Sequence, residues 1–278
     1  MLTICIILIV LLVLDLLFTL ALRCRKGHRK WEILKKYRYA HRGFHDKPQI
    51  PENSLPAFRR AIGHGFGAEL DVHLLKDGTL AVFHDSALRR CANVDGNIED
   101  LTYSELKQLR LEGTQEQIPT FDEVLALFEH ATPLIIELKT ANGNHKALAK
   151  AVCERLDSYT GEYCIESFDP FALIAVKKLR PEICRGQLSM RFEKESSGLS
   201  WIKRFIAGNL LENFLTVPDF IAYQFSDRKN YCLRQCIRVW GAQEVNWTIR
   251  SKADLLACEK DDGIAIFECF DPDDGNAS

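Results

Sequence analysis

Charged side chains stand at alternate positions in two apolar stretches of this sequence. Glu69 and Asp71 lie two residues apart in one strand-like run, and Glu137 and Lys139 repeat that spacing in another. Because alternate residues of a strand point to the same face, each pair is expected to share one face. Three carboxylates from two strands make a hard oxygen site suited to Mg²⁺ or Ca²⁺. The alternative is a buried ion-pair network in which Lys139 and Arg42 neutralise the acids, and the pairs alone do not separate the two.

Two histidines stand at the ends of strand-like runs. His41 opens the tripeptide His-Arg-Gly after one run, and His84 opens a His-Asp pair after another. A histidine at a strand end is well placed for proton transfer near neutral pH. Either one alone fits a structural role, but two of them beside three acids, an arginine and a lysine favour a catalytic site. The remaining histidines are expected to be surface or structural residues, namely His28, His45, His64, His73, His130 and His145.

Short β-rich runs alternate with helical patterns after residue 38, which predicts a parallel sheet covered by helices. About eight such units in the 240 residues that follow fit a (β/α)8 TIM barrel, whose chemistry lies at the carboxyl ends of the strands. A doubly wound sheet is the alternative, although no Gly-x-Gly-x-x-Gly turn follows the first strand. The predicted strands are Tyr39–His41, Gly67–His73, Leu80–His84, Leu134–Leu138, Glu162–Ser167, Ile183–Leu188, Phe220–Ala222, Glu244–Thr248 and Ile264–Phe267. The predicted helices are Leu55–Gly63, Phe121–His130, His145–Tyr159, Pro170–Leu179, Trp201–Leu215, Arg228–Val239 and Lys252–Glu259.

Residues 191–216 are predicted to be an insertion into the barrel that carries an amphipathic helix. Core packing is the expected role of its apolar side chains, with cover of the barrel mouth or contact with lipid as the alternatives. Those side chains belong to Trp201, Ile202, Phe205, Ile206, Leu210 and Phe214.

The amino terminus has the composition of a membrane span. Residues 2–22 are apolar at all but three positions, and a helix of that length rises about 31 Å, which matches the hydrocarbon core of a bilayer. A cleaved signal peptide is the competing interpretation, but no basic residue precedes the stretch and no small-residue cleavage site follows. We therefore predict a transmembrane helix over residues 1–22, a basic juxtamembrane segment over 23–38 and a barrel over 39–278. The positive-inside rule places the barrel in the cytoplasm.

Charge and cysteine content agree with this division. The net charge of −2 is the sum of +6 in residues 1–38 and −8 in the rest. A chain with this charge is not expected to be a basic nucleic-acid binder, and nothing in the sequence implies a protein partner. The ten cysteines include no Cys-x-x-Cys pair, and Cys232 and Cys236 have no second pair nearby, which disfavours zinc. Scattered thiols suit a reducing compartment.

The site residues fall within a longer pattern that resembles the glycerophosphodiester phosphodiesterase family. The resemblance covers nearly all of residues 38–271 and is densest between 41 and 85. There the chain reads His41-Arg42-Gly43, Pro51-Glu52-Asn53-Ser54, Ala57-Phe58, Glu69-Leu70-Asp71-Val72, Lys76-Asp77-Gly78 and His84-Asp85. Further landmarks are Leu101-Thr102, Ile118-Pro119-Thr120, Glu137-Leu138-Lys139, Ser167-Phe168 and Trp247.

The resemblance implies a TIM barrel that hydrolyses glycerophosphodiesters to glycerol 3-phosphate and an alcohol with a divalent metal. It assigns the metal to Glu69, Asp71 and Glu137, acid/base catalysis to His41 and His84, and the phosphate to Arg42 and Lys139. Glu52 is expected behind these groups, where it orients His41 or a metal ligand. Phe168 and Trp247 are expected to wall the glycerol pocket, with plain core packing as the alternative.

Two departures from the family pattern bear on substrate choice. His73-Leu74-Leu75 replaces a stretch that often carries a polar residue, and Glu268-Cys269 stands where many members have Thr-Asp or Thr-Asn. Two other functions stay open. One is phospholipase D-like action on lysophospholipids, favoured by the anchor and the apolar insertion. The other is a non-catalytic protein that binds headgroups, which would be expected to lack at least one of the charged residues.

Overall fold

The structure, a computed structural model, describes residues 2–194 and 198–274. Residues 195–197 of the predicted insertion and 275–278 at the end of the predicted barrel lie outside the described residues. The strands are β1 Tyr39–Ala40, β2 Gly67–Leu74, β3 Leu80–Val82, β4 Leu134–Leu138, β5 Tyr163–Ser167, β6 Arg185–Ser189, β7 Phe220–Gln224, β8 Gln243–Ile249 and β9 Ile264–Phe267. The helices are α1 Leu2–Ala21, α2 Trp31–Leu34, α3 Leu55–Gly63, α4 Arg89–Ala92, α5 Tyr103–Leu106, α6 Phe121–Phe128, α7 His145–Leu156, α8 Pro170–Leu179, α9 Trp201–Gly208, α10 Asn213–Thr216, α11 Tyr231–Arg238 and α12 Lys252–Lys260. Short 3-10 turns span Ile98–Asp100 and Phe225–Asp227.

Eight parallel strands close into a barrel in the order β1-β2-β4-β5-β6-β7-β8-β9, with β9 pairing back to β1. The predicted (β/α)8 barrel is confirmed. Of the nine predicted strands, Leu80–His84 is the exception, because β3 pairs antiparallel with β2 and forms a hairpin outside the barrel. His84 therefore follows a hairpin strand and not a strand of the barrel.

Local sequence signals place the helices directly after the strands that carry the site. Ser54 caps α3 by accepting a hydrogen bond from the backbone N–H of Ala57, and Pro56 occupies the first turn, where a missing N–H costs nothing. Asp169 caps α8 in the same way, only two residues after β5 ends, and Pro170 follows it. These caps fix where each helix begins and so fix the loops at the carboxyl ends of the strands.

Two apolar layers hold the barrel. Outward-facing strand residues such as Leu70 and Ile136 pack against the surrounding helices and are wholly buried. Inside the barrel, Tyr39, Ile135 and Phe220 form a second layer towards the amino-terminal end. The apolar filling of that end leaves the opposite, carboxyl-terminal end for polar side chains.

The basic segment 23–38 packs across the amino-terminal face of the barrel. Trp31 is 8% exposed and its ring meets Phe220 edge-on, with centroids 5.2 Å apart, while Leu34 is fully buried beside it. Arg25 donates hydrogen bonds of 2.5 and 2.8 Å to the two oxygens of Asp219, which is buried. Residues 23–38 therefore cover the amino-terminal end of the barrel and pack against it, and we call this segment the floor.

Helix α1 is long and apolar enough to cross a bilayer, by length and composition, and its side chains are exposed along most of its length. Its last turn contacts the barrel. Trp240 Nε1 donates a 3.0 Å hydrogen bond to the carbonyl of Thr19, the Phe18 and Tyr231 rings stack at 6.2 Å, and Leu22, just beyond the helix, is fully buried.

The insertion differs from its prediction in two respects. A single helix over Trp201–Leu215 was expected, but the chain forms α9 and α10, broken at Leu210, whose φ of 58° ends the helical path. Core packing is right for Leu210, which is fully buried, and wrong for the others. Trp201, Ile202, Phe205, Ile206 and Phe214 are 39–70% exposed.

Candidate active site

Three carboxylates meet inside the carboxyl-terminal end of the barrel. The strand register sets Asp71 of β2 beside Glu137 of β4, and Glu69 lies two residues earlier on β2. One oxygen from each carboxylate lies within 4.8 Å of the other two, and all three residues are buried. Lys139 Nζ lies 2.9 Å from Glu137 Oε1 and 3.1 Å from Asp71 Oδ1. The structure thus brings together four of the residues that the i, i+2 spacings singled out.

Burial and mutual repulsion set the ionisation of this cluster. Burial, together with Asp71 and Glu137, raises the pKa of Glu69 well above its ordinary value. Burial also raises the pKa of Glu137 to about 7, against the opposing charge of Lys139. For Asp71 burial acts in the same direction, but the charges of Lys139, His84 and Arg42 outweigh it and hold its pKa below the usual range.

His41 and Glu268 form the first of two histidine–carboxylate pairs. His41 Nδ1 lies 2.5 Å from Glu268 Oε2, and since an ionised carboxylate only accepts, Nδ1 carries the proton. Burial lowers the pKa of His41. The hydrogen bond with His41 and the nearby imidazole of His45, 3.8 Å away, outweigh the burial of Glu268 and hold the pKa of its carboxyl well below the ordinary value. His41 Nε2 points to the cluster, 3.9 Å from Glu69 Oε2.

His84 and Asp85 form the second pair. His84 Nδ1 lies 2.5 Å from Asp85 Oδ1, and Arg90 holds that carboxylate at its other oxygen, 2.5 Å away. Burial lowers the pKa of His84 to about 4. The loop that carries His84 is fixed by buried His73, whose Nε2 lies 3.2 Å from the His84 carbonyl and whose Nδ1 lies 2.7 Å from Glu99.

Arg42 is held between Glu52 and the carboxylate cluster. Its guanidinium donates a 2.8 Å hydrogen bond to Glu52 Oε1, its Nε lies 3.6 Å from Asp71 Oδ2, and its backbone N–H donates to Glu69 Oε2 at 3.0 Å. Its φ of 55° lies in the left-handed region, where a non-glycine residue is strained. At the next position Gly43 has a φ of 79°, and a Cβ there would lie 2.9 Å from that of Ala57, so only glycine fits.

Glu52 is an anchor for three cations. Besides Arg42 it accepts hydrogen bonds from Arg90 at 2.7 Å and from Lys47 at 2.5 Å. These cations outweigh the effect of burial and hold the pKa of Glu52 far below its ordinary value. The residue was expected to orient His41 or a metal ligand, and the structure places it instead against Arg42.

Aromatic side chains form one wall beside the cluster. A cavity of about 190 Å³ is lined by His84, Glu137, Lys139 and Phe168, among others. The Phe168 ring meets the Trp247 ring edge-on at 5.6 Å, and both are half-buried. The two aromatic residues therefore lie at the site, with Phe168 facing the cavity directly.

Comparisons with known proteins show the family of this chain. The model of the glycerophosphoryl diester phosphodiesterase family matches residues 41–226, two thirds of the chain. The chain belongs to this family. A glycerophosphodiester phosphodiesterase of Bacillus altitudinis is 37% identical over 163 residues, which span 55% of this chain and 66% of that protein. A human lysophospholipase D is 33% identical over 148 residues, spanning 49% of this chain and 45% of the human one.

A solved structure of the family resembles the whole barrel. The phosphodiesterase of Oleispira antarctica, in complex with its product sn-glycerol-3-phosphate, is 29% identical and superposes with a TM-score of 0.65. The match covers 83% of this chain and 91% of that one. The glycerophosphoryl diester phosphodiesterases are divalent-metal-dependent phosphoric diester hydrolases.

The residues present fit the divalent metal of this family. A fourth carboxylate, buried Glu166 of β5, lies beside Glu137 in the register. Glu166 Oε2 is buried and accepts no hydrogen bond from a described residue. An ion-pair network of Lys139 and Arg42 alone would leave two positive charges against four carboxylates. Carboxylate oxygens crowded in this way are the ligands that Mg²⁺ and Ca²⁺ take.

The sequence analysis gave no role in the site to three residues that lie there, namely Glu166, Asn53 and Glu268. Glu166 belongs to a predicted strand without a recognisable motif. Its spacing of two residues from Cys164 was the one sign that its side chain points into the barrel. Asn53 donates a 2.8 Å hydrogen bond to Asp71 Oδ2, and its φ of 52° turns it there. Glu268 was noted only as a departure that concerns substrate choice, whereas the structure sets it on the ring of His41.

Proposed function

We propose that this chain hydrolyses glycerophosphodiesters to glycerol 3-phosphate and an alcohol, with His41 and His84 as the acid/base pair. One observation carries the proposal. Each histidine is engaged through Nδ1 by a carboxylate, 2.5 Å away in both cases, beside a cluster of buried acids with a lysine and an arginine. That arrangement leaves Nε2 of each ring as the atom that moves a proton.

Glu69, Asp71 and Glu137 would hold a divalent cation, Mg²⁺ or Ca²⁺. When bound, the cation stabilises negative charge that develops on the phosphate and lowers the pKa of an oxygen nucleophile. The structural neighbour in complex with its product sn-glycerol-3-phosphate supports glycerol 3-phosphate as the product of this chain.

The chain's own residues supply binding and proton transfer. Arg42 and Lys139 would hold the phosphate oxygens, whose negative charge grows in the transition state. One histidine takes a proton at Nε2 from the nucleophile, a water or the glycerol hydroxyl of the substrate, and the other gives its Nε2 proton to the leaving oxygen. Phe168 and Trp247 would wall the glycerol.

The test is release of glycerol 3-phosphate from glycerophosphocholine by the full chain in detergent, with EDTA and then Mg²⁺, Ca²⁺ or Mn²⁺ added. We expect EDTA to abolish release and one cation to restore it. His41→Asn and His84→Asn should each lower kcat by roughly 10²- to 10⁴-fold. His130→Asn is the matched control, since His130 lies just before β4 at the opposite end of the barrel. Activity that survives replacement of both His41 and His84 would refute the mechanism.

A second candidate substrate is a lysophospholipid. The exposed apolar side chains of α9 favour it, as does the similarity to a lysophospholipase D. Turnover of lysophosphatidylcholine and glycerophosphocholine by the same preparation distinguishes the two, because a glycerophosphodiester specialist should show kcat/KM at least tenfold higher for the soluble substrate.

We infer that α1 is a retained membrane anchor, with the barrel on the cytoplasmic side. The contacts of Phe18, Thr19 and Leu22 with the barrel support retention, since a cleaved leader would leave buried partners uncovered. The basic segment that follows the helix supports the orientation. External protease on intact cells should leave the barrel uncut, and digestion there would contradict the orientation.

A further inference from the structure

Exposed apolar side chains concentrate on one side of the barrel. Outside α1, thirteen large apolar side chains of the described residues are exposed, and seven of them lie between residues 201 and 231. Six of these define an apolar face, namely Trp201, Ile202, Phe205, Ile206, Phe214 and Tyr231. The first four lie on one side of α9 by their spacing of one and four residues. A concentration of this kind on a folded domain marks an interaction surface.

The apolar face adjoins the end of α1. Tyr231 is 65% exposed and stacks on Phe18, α10 contacts α1, and Leu210 is buried with Leu22 in one cluster. Phe18 lies four residues before Leu22, which is about 6 Å along a helix. Because Tyr231 contacts Phe18, the barrel surface at Tyr231 extends about 6 Å past Leu22, along the axis of α1, towards the bilayer. Surface-bound amphipathic helices lie at a depth of about 5–10 Å.

Four cations lie on or beside the apolar face, together with one acid, Asp227. Lys203 and Arg204 lie on α9, and Arg191 and Lys229 line a cavity of about 540 Å³ between α9 and the loops after β6 and β7. None of these four cations forms an ion pair with another described residue. Arg204 Nε is buried and has no hydrogen-bond partner among the described residues. Each such cation near an anionic lipid surface adds about 1 kcal/mol of attraction.

We propose that the apolar face is a second membrane-contact site, which lies in the headgroup region of an anionic bilayer beside α1. Continuity with the span and these four cations select a lipid surface over a second copy of the chain, because a second copy would have to bring a matching acidic rim. The contact holds the side of the barrel at α9 against the bilayer. Phe192, which lines the cavity, meets Phe168 of the candidate active site at 6.1 Å, so this side of the barrel leads to the site.

The direct test is quenching of tryptophan fluorescence in the full chain, reconstituted into vesicles of phosphatidylcholine and phosphatidylglycerol. The Trp201 signal is the difference between the wild type and Trp201→Phe. Bromine atoms on the upper acyl chains should reduce this signal by about half or more. If the chain floats with the vesicles and the Trp201 signal is unquenched, the apolar face does not touch lipid, and pairing with a second copy becomes the alternative. If the chain does not float, both the anchor and the face are refuted.

A functional readout rests on the proposed function and uses the double variant Trp201→Glu/Phe205→Glu. We expect its turnover of vesicle-embedded lysophospholipid to fall about tenfold, with turnover of soluble glycerophosphocholine unchanged, because the charges oppose contact with the bilayer. Tyr103→Glu is the matched control, since Tyr103 is 48% exposed next to the turn after β2, and β2 lies opposite β7 in the barrel. Equal loss on both substrates would overturn the proposal. A wild type inactive on both substrates refutes the proposed function, while the quenching result still decides the membrane contact.

Discussion

Replacement of Glu52 by glutamine separates two roles that a carboxylate near an anionic substrate can have. If Glu52 acted only through its charge, its removal would make the site more positive and would improve binding of a phosphodiester. If it positions Arg42, its removal should impair catalysis instead. The two roles predict opposite signs for the change in kcat/KM.

The structure favours the second role and sets the size of the effect. The Arg42–Glu52 hydrogen bond is 2.8 Å long, and the two side chains are 16% and 6% exposed. A hydrogen bond between charged groups contributes about 1.5–3 kcal/mol. At about 1.4 kcal/mol for each tenfold change in rate, kcat/KM of Glu52→Gln should fall roughly 10- to 150-fold. The glutamine amide offers only one acceptor oxygen to the three cations that bind Glu52. The guanidinium of Arg42 is then free to turn towards Asp71, whose Oδ2 lies 3.6 Å from Arg42 Nε.

A double-mutant cycle provides the assay. Glycerol 3-phosphate release is measured for Glu52→Gln, Arg42→Ala and the double variant, at temperatures where each unfolds no more than the wild type. If Glu52 acts through Arg42, adding Glu52→Gln to Arg42→Ala should cost less than about twofold. Glu112→Gln is the control, because Glu112 pairs with the same Lys47 at 2.6 Å but does not touch Arg42. A rise in kcat/KM, or an equal fall with and without Arg42, would refute the reasoning.

Three further outcomes follow from the contacts described above. Glu268→Gln should lower kcat roughly 10- to 100-fold with little change in KM, because Nδ1 of His41 loses its ionised acceptor, and an unchanged kcat would remove Glu268 from the site. Trp31→Ala should lower the free energy of unfolding by about 3–5 kcal/mol, measured from urea midpoints in detergent, and a loss under about 1 kcal/mol would mean that the floor is not part of the fold. Because cations hold the pKa of Glu52 below its ordinary value of 4.5, its carboxylate stabilises the fold above that pH and the contribution is lost on acidification. Wild-type stability should therefore decline more steeply below about pH 5 than that of Glu52→Gln, and parallel declines would contradict the assignment.

Patterns within a few residues were readable from the sequence, and contacts between distant segments were not. The i, i+2 spacing of Glu69 and Asp71 places both acids inside the barrel, since a strand alternates its faces. His84 shows the limit of this reasoning, because an apolar run of three residues looks the same in a hairpin and in a barrel strand. Glu268 lies 227 positions from His41, and nothing local to either residue reveals that they meet.

Periodicity also fails to say what covers an apolar face. The spacing in α9 predicted an amphipathic helix, and burial in the core was the natural expectation for Trp201 and Phe205. Whether such a face meets protein or lipid depends on what lies next to it, and the last turn of α1 lies next to it only in the folded chain. Residue type likewise did not show that Glu52 contacts Arg42 and not His41.

The floor of the barrel has a consequence for how this chain can be divided. The family pattern begins at His41, yet Trp31 and Leu34 fill the amino-terminal face and Arg25 is joined to Asp219. A truncation at the first strand would remove part of the folded body together with the proposed anchor. The proposed anchor and the barrel are therefore not separable at residue 38. A foreign targeting sequence could replace the residues before Phe18, but a junction at residue 38 would remove Trp31 and Leu34 and expose the amino-terminal end of the barrel. Residues 18–38 therefore contribute to the stability of the barrel and also connect it to the proposed anchor, so a change that weakens the floor would also weaken the packing between the barrel and α1.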